Sequence, residues 1–171
     1  MKTNMSTVSV IACIVLMGCT VSGKAENTNS ADTVATMYQL YKRHFPTVPD
    51  IAPSTLMAAT NRAEFVLVDV RSRKEQSVSM LPGAITRRQF EGDRARYSGH
   101  RIVTYCTIGY RSGVYAKRLR KQGWIAHNLT GGALGWVHAG GRVEHEGVVT
   151  HRVHVYGKKW DLLPDGYESV R

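Results

Sequence analysis

Hydrophobic and polar positions along the chain switch between two periods. Phe65-Val66-Leu67-Val68-Asp69-Val70 and Ile102-Val103-Thr104-Tyr105 are short continuous apolar runs, the pattern of strands buried on both faces. From Arg111 to Gln122 the period becomes helical: Val114, Tyr115 and Leu119 point inward, Lys117, Arg118, Arg120 and Lys121 point outward, and Gly123 ends the helix. Upstream, Val34, Met37, Tyr38, Tyr41 and Phe45 share one face of a predicted helix. Asp32 or Thr33 caps it, Lys42, Arg43 and His44 occupy its last turn, and Pro46 stops it. Ser54 is positioned to cap a short helix from Thr55 to Ala59. A third strand is expected from Ile125 to Leu129, followed by a Gly131-Gly132 turn and a short helix through Leu134 and Trp136. Between the first two strands, Pro82-Gly83-Ala84-Ile85 turns into an extended segment, and the charged stretch from Arg87 to Arg101 shows no readable period.

Strands alternating with helices imply an α/β fold, a mainly parallel sheet flanked by helices. An extra N-terminal helical segment covers residues 32–50. A C-terminal extension covers 144–171, in which Val153-His154-Val155-Tyr156 alternates like a strand. A length of 171 residues suits one domain with appendages rather than two domains.

The first segment bears on location. Lys2 precedes an uncharged run from Val8 to Met17, shorter than the roughly 20 apolar residues a membrane span needs but suited to a signal-peptide core. Leu16-Met17-Gly18-Cys19 resembles the lipobox of bacterial lipoproteins. That resemblance implies that residues 1–18 are a signal peptide and that Cys19 becomes the lipidated first residue of the mature chain. It also implies export, with a lipid anchor in the bacterial cell envelope facing the periplasm, and Thr20 leans toward the outer membrane. Val21 to Ala31 is small and polar, so residues 19–31 read as a flexible tether without structure. If Cys13 leaves with the signal and Cys19 is acylated, Cys106 is the only free thiol left, and an unpaired thiol in an oxidising compartment calls for a chemical reason.

Lys and Arg number 23 against 13 Asp and Glu, a formal charge of +10. The cations from Lys117 to Lys121 sit opposite the buried positions of their helix, which is how a solvated face looks, and export argues further against a nucleic-acid partner. A small anionic solute remains compatible with the basic balance. His151 and His154 fall three apart on an alternating segment near His145, so that pair points to opposite faces and no cysteine joins it. The sequence therefore calls for no metal, and nothing in it calls for an organic cofactor.

Candidate chemistry concentrates at Cys106, which ends the second apolar strand. Thr107-Ile108-Gly109-Tyr110 turns, and Arg111-Ser112 opens the next helix. In parallel sheets, ligands sit beyond the carboxyl ends of strands. A tight strand-to-helix loop aims backbone N–H groups at one point, and the helix start favours an anion there. A thiolate is the anion Cys106 can supply, and it is the nucleophilic form of cysteine. Gly109 permits dihedrals that a side chain opposes, and Arg111 adds a permanent charge. Trp136 reads as core packing.

Cys106-Thr107-Ile108-Gly109-Tyr110-Arg111-Ser112 resembles the active-site loop of the rhodanese family, Cys-x-x-Gly-x-Arg-Ser. Val68-Asp69-Val70-Arg71, then Glu75 and Leu81-Pro82-Gly83-Ala84-Ile85, resemble the first conserved stretch of that family. Asn128-Leu129 with Gly131-Gly132 and Trp136 resemble its closing strand and helix. The likeness spans about Ile51 to Gly141 and implies a rhodanese domain over residues 51–143. It further implies Cys106 as a persulfide-forming sulfur carrier in a sulfurtransferase. Thr107, Ile108, Gly109, Tyr110 and Arg111 become the cradle for a small anionic donor such as thiosulfate, with an acceptor that is not specified. Ser79-Met80 stands where many relatives carry Gly-His, so a histidine often found at the pocket edge is absent. Two other readings compete. One is a sulfur-relay or binding module serving a protein partner in the cell envelope. The other is a cysteine phosphatase, but such loops place five residues between cysteine and arginine, and only four separate Cys106 from Arg111.

Overall fold

In the computed structural model, residues 24–171 are described, with side chains from residue 30 onward. The expected signal peptide (1–18), the lipidation site Cys19 and the first residues of the expected tether lie outside the described residues.

The sequence runs α1 (Lys24–Lys42), β1 (Asp50–Ile51), α2 (Pro53–Ala58), β2 (Phe65–Asp69), α3 (Arg73–Gln76), β3 (Ile85–Thr86), α4 (Arg87–Gly92) and β4 (Arg101–Tyr105). It continues with α5 (Tyr110–Lys121), β5 (Ala126–Leu129), α6 (Gly132–His138), β6 (Val143–His145), β7 (Val148–Thr150), β8 (Arg152–His154) and β9 (Glu168–Val170). The first five strands form one parallel sheet in the order β1-β5-β4-β2-β3. The two apolar runs are neighbours at its centre, with Val66 opposite Ile102 and Val68 opposite Thr104.

Alternation along these strands sorts side chains into two layers. Val68 and Ile102 join Phe90, Tyr115, Leu119 and Phe45 under α4 and α5. Leu67, Val103 and Tyr105 join Leu56, Leu129, Trp136 and Val137 under α2 and α6, where Val143 at the start of β6 and Val153 of the C-terminal extension complete the layer. That extension forms the β6–β7 hairpin and a parallel β8–β9 pair. The Val155 N–H donates to the Val170 carbonyl at 2.9 Å, which closes the segment between them into a loop.

Several expectations are corrected. The N-terminal helix begins at Lys24, inside the segment expected to be an unstructured tether, and Asp32 and Thr33 lie within it rather than capping it. Val34 and Tyr38 bury that helix against the domain, and once an interior stretch is fixed each preceding residue adds a bond at little entropic cost. The same helix ends at Lys42, so buried Phe45 belongs to the turn that follows. The short helix starts with Pro53 at its first turn and Ala52 as N-cap, so Ser54 caps nothing. On α5, Val114 is 38% exposed, while Ser112, Gly113, Ala116 and Leu119 face inward with Tyr115. The charged stretch resolves into α4 and a 3-10 turn at Arg94–Tyr97. The helix is started by a capping box, in which the Thr86 hydroxyl accepts from the Gln89 N–H and the Gln89 side chain accepts from the Thr86 N–H.

Candidate active site

Cys106 to Gly109 connect β4 to α5 at the carboxyl end of a central strand. The Cys106 Sγ accepts hydrogen bonds from the Gly109 N–H at 3.2 Å and from the Ser112 hydroxyl at 3.6 Å. Gly109 is the N-cap of α5 and Ser112 lies in its first turn, so the sulfur rests where unpaired N–H groups concentrate positive charge. Of the loop amides, that of Gly109 is the one bonded to the sulfur, rather than several converging on it as the sequence suggested. Cys106 is only 1% exposed, yet it lines a cavity of about 250 Å³.

Two glycines set the shape of the loop. Gly109 has φ +101°, and a Cβ there would stand 2.5 Å from the Tyr38 ring of α1. Asn128 on β5 donates to the Gly109 carbonyl at 2.9 Å and to the Tyr38 hydroxyl at 3.1 Å, and that hydroxyl donates to Asp50 at 2.6 Å. Burial, then the hydrogen bond to Asp50 and its charge, pushes the Tyr38 phenol up, so it stays a donor. Gly132 has φ +58°, and a Cβ there would lie 2.4 Å from the Cys106 carbonyl oxygen. Its absence lets the Ala133 and Leu134 N–H groups of α6 donate to the Cys106 and Thr107 carbonyls at 2.8 and 3.0 Å.

Arg111 is tied to Glu75 by two hydrogen bonds, Nη1 to Oε2 at 2.9 Å and Nη2 to Oε1 at 2.6 Å. Thr107 Oγ1 sits between them, accepting from Arg111 at 3.2 Å and donating to Glu75 at 3.1 Å. The Ser72 N–H and hydroxyl also donate to Glu75, which is the N3 residue of a capping box on α3. Burial alone raises a carboxyl's pKa, but the hydrogen bonds from Arg111 and Ser72 and the Arg111 charge outweigh it and hold Glu75 down at about 2. Burial opposes the Arg111 charge, while Glu75 and the charge of Cys106 favour it, and the net effect holds the guanidinium above its ordinary range. Its face lies 5.1 Å from the Tyr156 ring centroid.

Behind the loop, Arg71 makes a buried ion pair with Asp69 at 2.7 Å and donates to the Ser79 carbonyl at 2.6 Å. The Tyr105 hydroxyl donates to the same Asp69 carboxylate at 2.7 Å and accepts from the Leu81 N–H at 3.1 Å. This network ties β2 and β4 to the segment before β3 and does not line the cavity.

The structure brings the sequence-predicted cradle together. Cys106, Thr107 and Ile108 line the cavity with Tyr110 and Arg111, and Gly109 contributes its amide to the sulfur. Cys19 lies outside the described residues. Sequence reasoning missed Glu75 as the partner of Arg111, Ser112 as a donor to the sulfur, and three aromatic residues that complete the cavity. Those three are Tyr41 of α1 and Tyr156 and Trp160 of the C-terminal extension. The signal available for the aromatics was their density in segments outside the domain. Among the described residues, no group of three or more His, Cys, Asp or Glu side chains is placed to hold a metal ion.

Compared with known families, the chain matches the model of the rhodanese-like domain over residues 52–139, half of its length. The chain belongs to the rhodanese-like family. Among solved structures, the rhodanese-like fold is shared with a thiosulfate sulfurtransferase from Pseudomonas aeruginosa. That likeness has 24% identity and a TM-score of 0.55, and covers 71% of this chain. The present chain spans about a quarter (24%) of that enzyme. A rhodanese-related protein from Thermoplasma volcanium matches with 20% identity and a TM-score of 0.50, over 57% of this chain and 99% of its own. A search of curated proteins returned no match. The rhodanese-like match ends at residue 139, so Tyr156 and Trp160 enter the cavity from outside it.

Proposed function

We propose that the protein is a sulfurtransferase that carries sulfane sulfur as a persulfide on Cys106. The observation that carries this reading is the seat of the sulfur: bonded by the Gly109 N–H at the start of α5, on a residue that lines a cavity together with Arg111. In the first step the Cys106 thiolate attacks the outer sulfur of a donor such as thiosulfate. The new S–S bond forms as the donor's S–S bond breaks, and sulfite leaves with the electron pair. In the second step a thiophilic acceptor such as cyanide attacks the terminal sulfur, thiocyanate leaves, and the thiolate is regenerated. Both steps concentrate negative charge beside a donor fixed in place before reaction, where removing one such donor costs roughly 3 kcal/mol of barrier. The burial of Cys106 favours small acceptors over a bulky protein surface, which supports an enzyme over a relay module.

The test is intact-mass spectrometry after thiosulfate. Cys106 gains one sulfur atom that cyanide removes, Cys106→Ser gains none, and steady-state kinetics are ping-pong. Failure of every sulfane donor to add sulfur would overturn the reading.

The proposal extends to location: an exported chain held at the envelope by a lipid on Cys19. Incorporation of labelled fatty acid in a bacterial host, lost in Cys19→Ser, tests it. Among the described residues no helix is long and apolar enough to cross a membrane.

A further inference from the structure

The parallel pairing of β2 with β3 sets Asp69 opposite Thr86, so the segments leaving the two strands start side by side at the carboxyl end of the sheet. In parallel sheets that end is where ligands sit. A cavity of about 300 Å³ lies there, lined by Arg71, Arg73 and Gln76 from one segment and Thr86, Arg87 and Arg88 from the other. It shares no lining residue with the cavity at Cys106.

Four arginines and no carboxylate line this cavity. Asp69 matches the charge of Arg71, and Glu91 pairs with Arg87 at 2.8 Å while also lying 3.9 Å from Arg94. The exposed Arg73 and Arg88 side chains have no carboxylate partner among the described residues, so two of the four charges stand unmatched. Arg71 is different in kind, because its side chain is only 1% exposed. Its Nε and Nη2 bond to Asp69 and to the Ser79 carbonyl, which leaves the N–H donors of Nη1 unspent on a buried residue of the lining. Gln76 is committed to the backbone, donating to the Asp69 and Arg71 carbonyls at 3.2 and 3.1 Å, and so holds the segment in shape.

We infer that this cavity binds a tetrahedral oxoanion, phosphate or sulfate, among Arg71, Arg73, Arg87 and Arg88. Planar guanidinium forks offer such an ion paired N–H donors, and an ion of two charges balances the unmatched pair. Cations gathered around one cavity suit a compact ion better than an extended acidic chain. The site stands apart from the sulfur chemistry and does not rest on it. Arg73 and Gln76 share the single turn of α3 with Glu75, the partner of Arg111, so an occupied site steadies that turn.

The test titrates the isotope-labelled protein with phosphate or sulfate, ionic strength being held constant with chloride, and follows backbone amides by NMR. Saturable shifts are expected at residues 71–76 and 86–88, and they persist in Arg111→Gln. Either ion raises Tm where chloride does not. Arg73→Gln combined with Arg88→Gln weakens binding at least about ten-fold, because hydrogen bonds to charged groups are the stronger ones. Both positions are exposed, so the fold tolerates the change, and the same spectra report it. Shifts that never saturate, shifts confined to residues 106–112, or undiminished binding in the double variant overturn the inference. Saturable binding of a hexaglutamate peptide at these residues, with no response to phosphate or sulfate, overturns it as well.

Discussion

Arg111 and Glu75 are 36 positions apart in the chain and meet as a two-pronged ion pair at 2.6 and 2.9 Å. The pair joins the first turn of α5 to α3, so one contact fixes both the cation beside Cys106 and the segment leading toward β3.

Glu75→Gln separates charge from shape, because glutamine can still serve the capping box with Ser72. The expected loss is about 1–3 kcal/mol in urea unfolding, less than for a fully buried pair because the Arg111 side chain is 34% exposed. With the guanidinium released, the rate of sulfur uptake from thiosulfate is expected to change while Cys106→Ser remains inert.

Acid sensitivity follows from the same carboxyl. Its pKa falls from an ordinary 4.5 to about 2 on folding, so its contribution to stability is complete above 4.5 and lost as pH drops through 2. Urea unfolding of wild type and Glu75→Gln at stepped pH should show a constant difference near neutrality that shrinks across that window. A difference that persists unchanged at pH 2 would contradict it.

Asp69→Ala strands the buried Arg71 charge and removes the acceptor of the Tyr105 hydroxyl. The expected destabilisation is about 3–5 kcal/mol, and the double variant Asp69→Ala with Arg71→Met should recover part of it. Chemical denaturation of the three proteins measures both.

Gly109→Ala forces a side chain into φ +101° and against the Tyr38 ring. Left-handed strain and overpacking together predict a loss of roughly 2–4 kcal/mol. The loop must also shift, so alkylation of Cys106 by iodoacetamide should change rate in whatever fraction remains folded.

His154 is buried at 6% exposure, and neither ring nitrogen has a hydrogen-bond partner. Burial is the main cause that lowers its pKa; Glu75 opposes it, while Lys74, Arg71 and Arg111 reinforce it. A folded pKa below the ordinary 6.5 means that stability is lost as pH falls below that value, because the unfolded chain takes up the proton first. His154→Leu should match or exceed wild-type stability at pH 7 and flatten the slope below 6.5. A variant about 2 kcal/mol less stable, the cost of a core defect, would count against this reading.

Much of this arrangement was legible because it is local. Uninterrupted apolar residues mark β2 and β4, and the order cysteine, glycine, arginine marks the turn between strand and helix. Val114 was misplaced because α5 buries glycine, serine and alanine positions where larger residues were expected. The beginning of α1 was missed because polar residues continue a helix that is held elsewhere, by Val34 and Tyr38. The pairing of Glu75 with Arg111, the support of Gly109 by Asn128 and Tyr38, and the Tyr156–Trp160 wall are all meetings of distant segments. Side-chain period carries no record of such meetings.

The β8–β9 pair has a consequence for the rim of the cavity. Tyr156 and Trp160 lie on the loop that this pair closes, and Arg171 adds an ion pair with Asp161 across it. Loosening of the Val155–Val170 bond therefore reshapes the mouth of the pocket, where Tyr156 faces the Arg111 guanidinium, and leaves the Gly109 and Ser112 bonds to the sulfur in place. The sulfur is buried while Glu168 of the closing pair is exposed, so the rim of the pocket yields before its floor does.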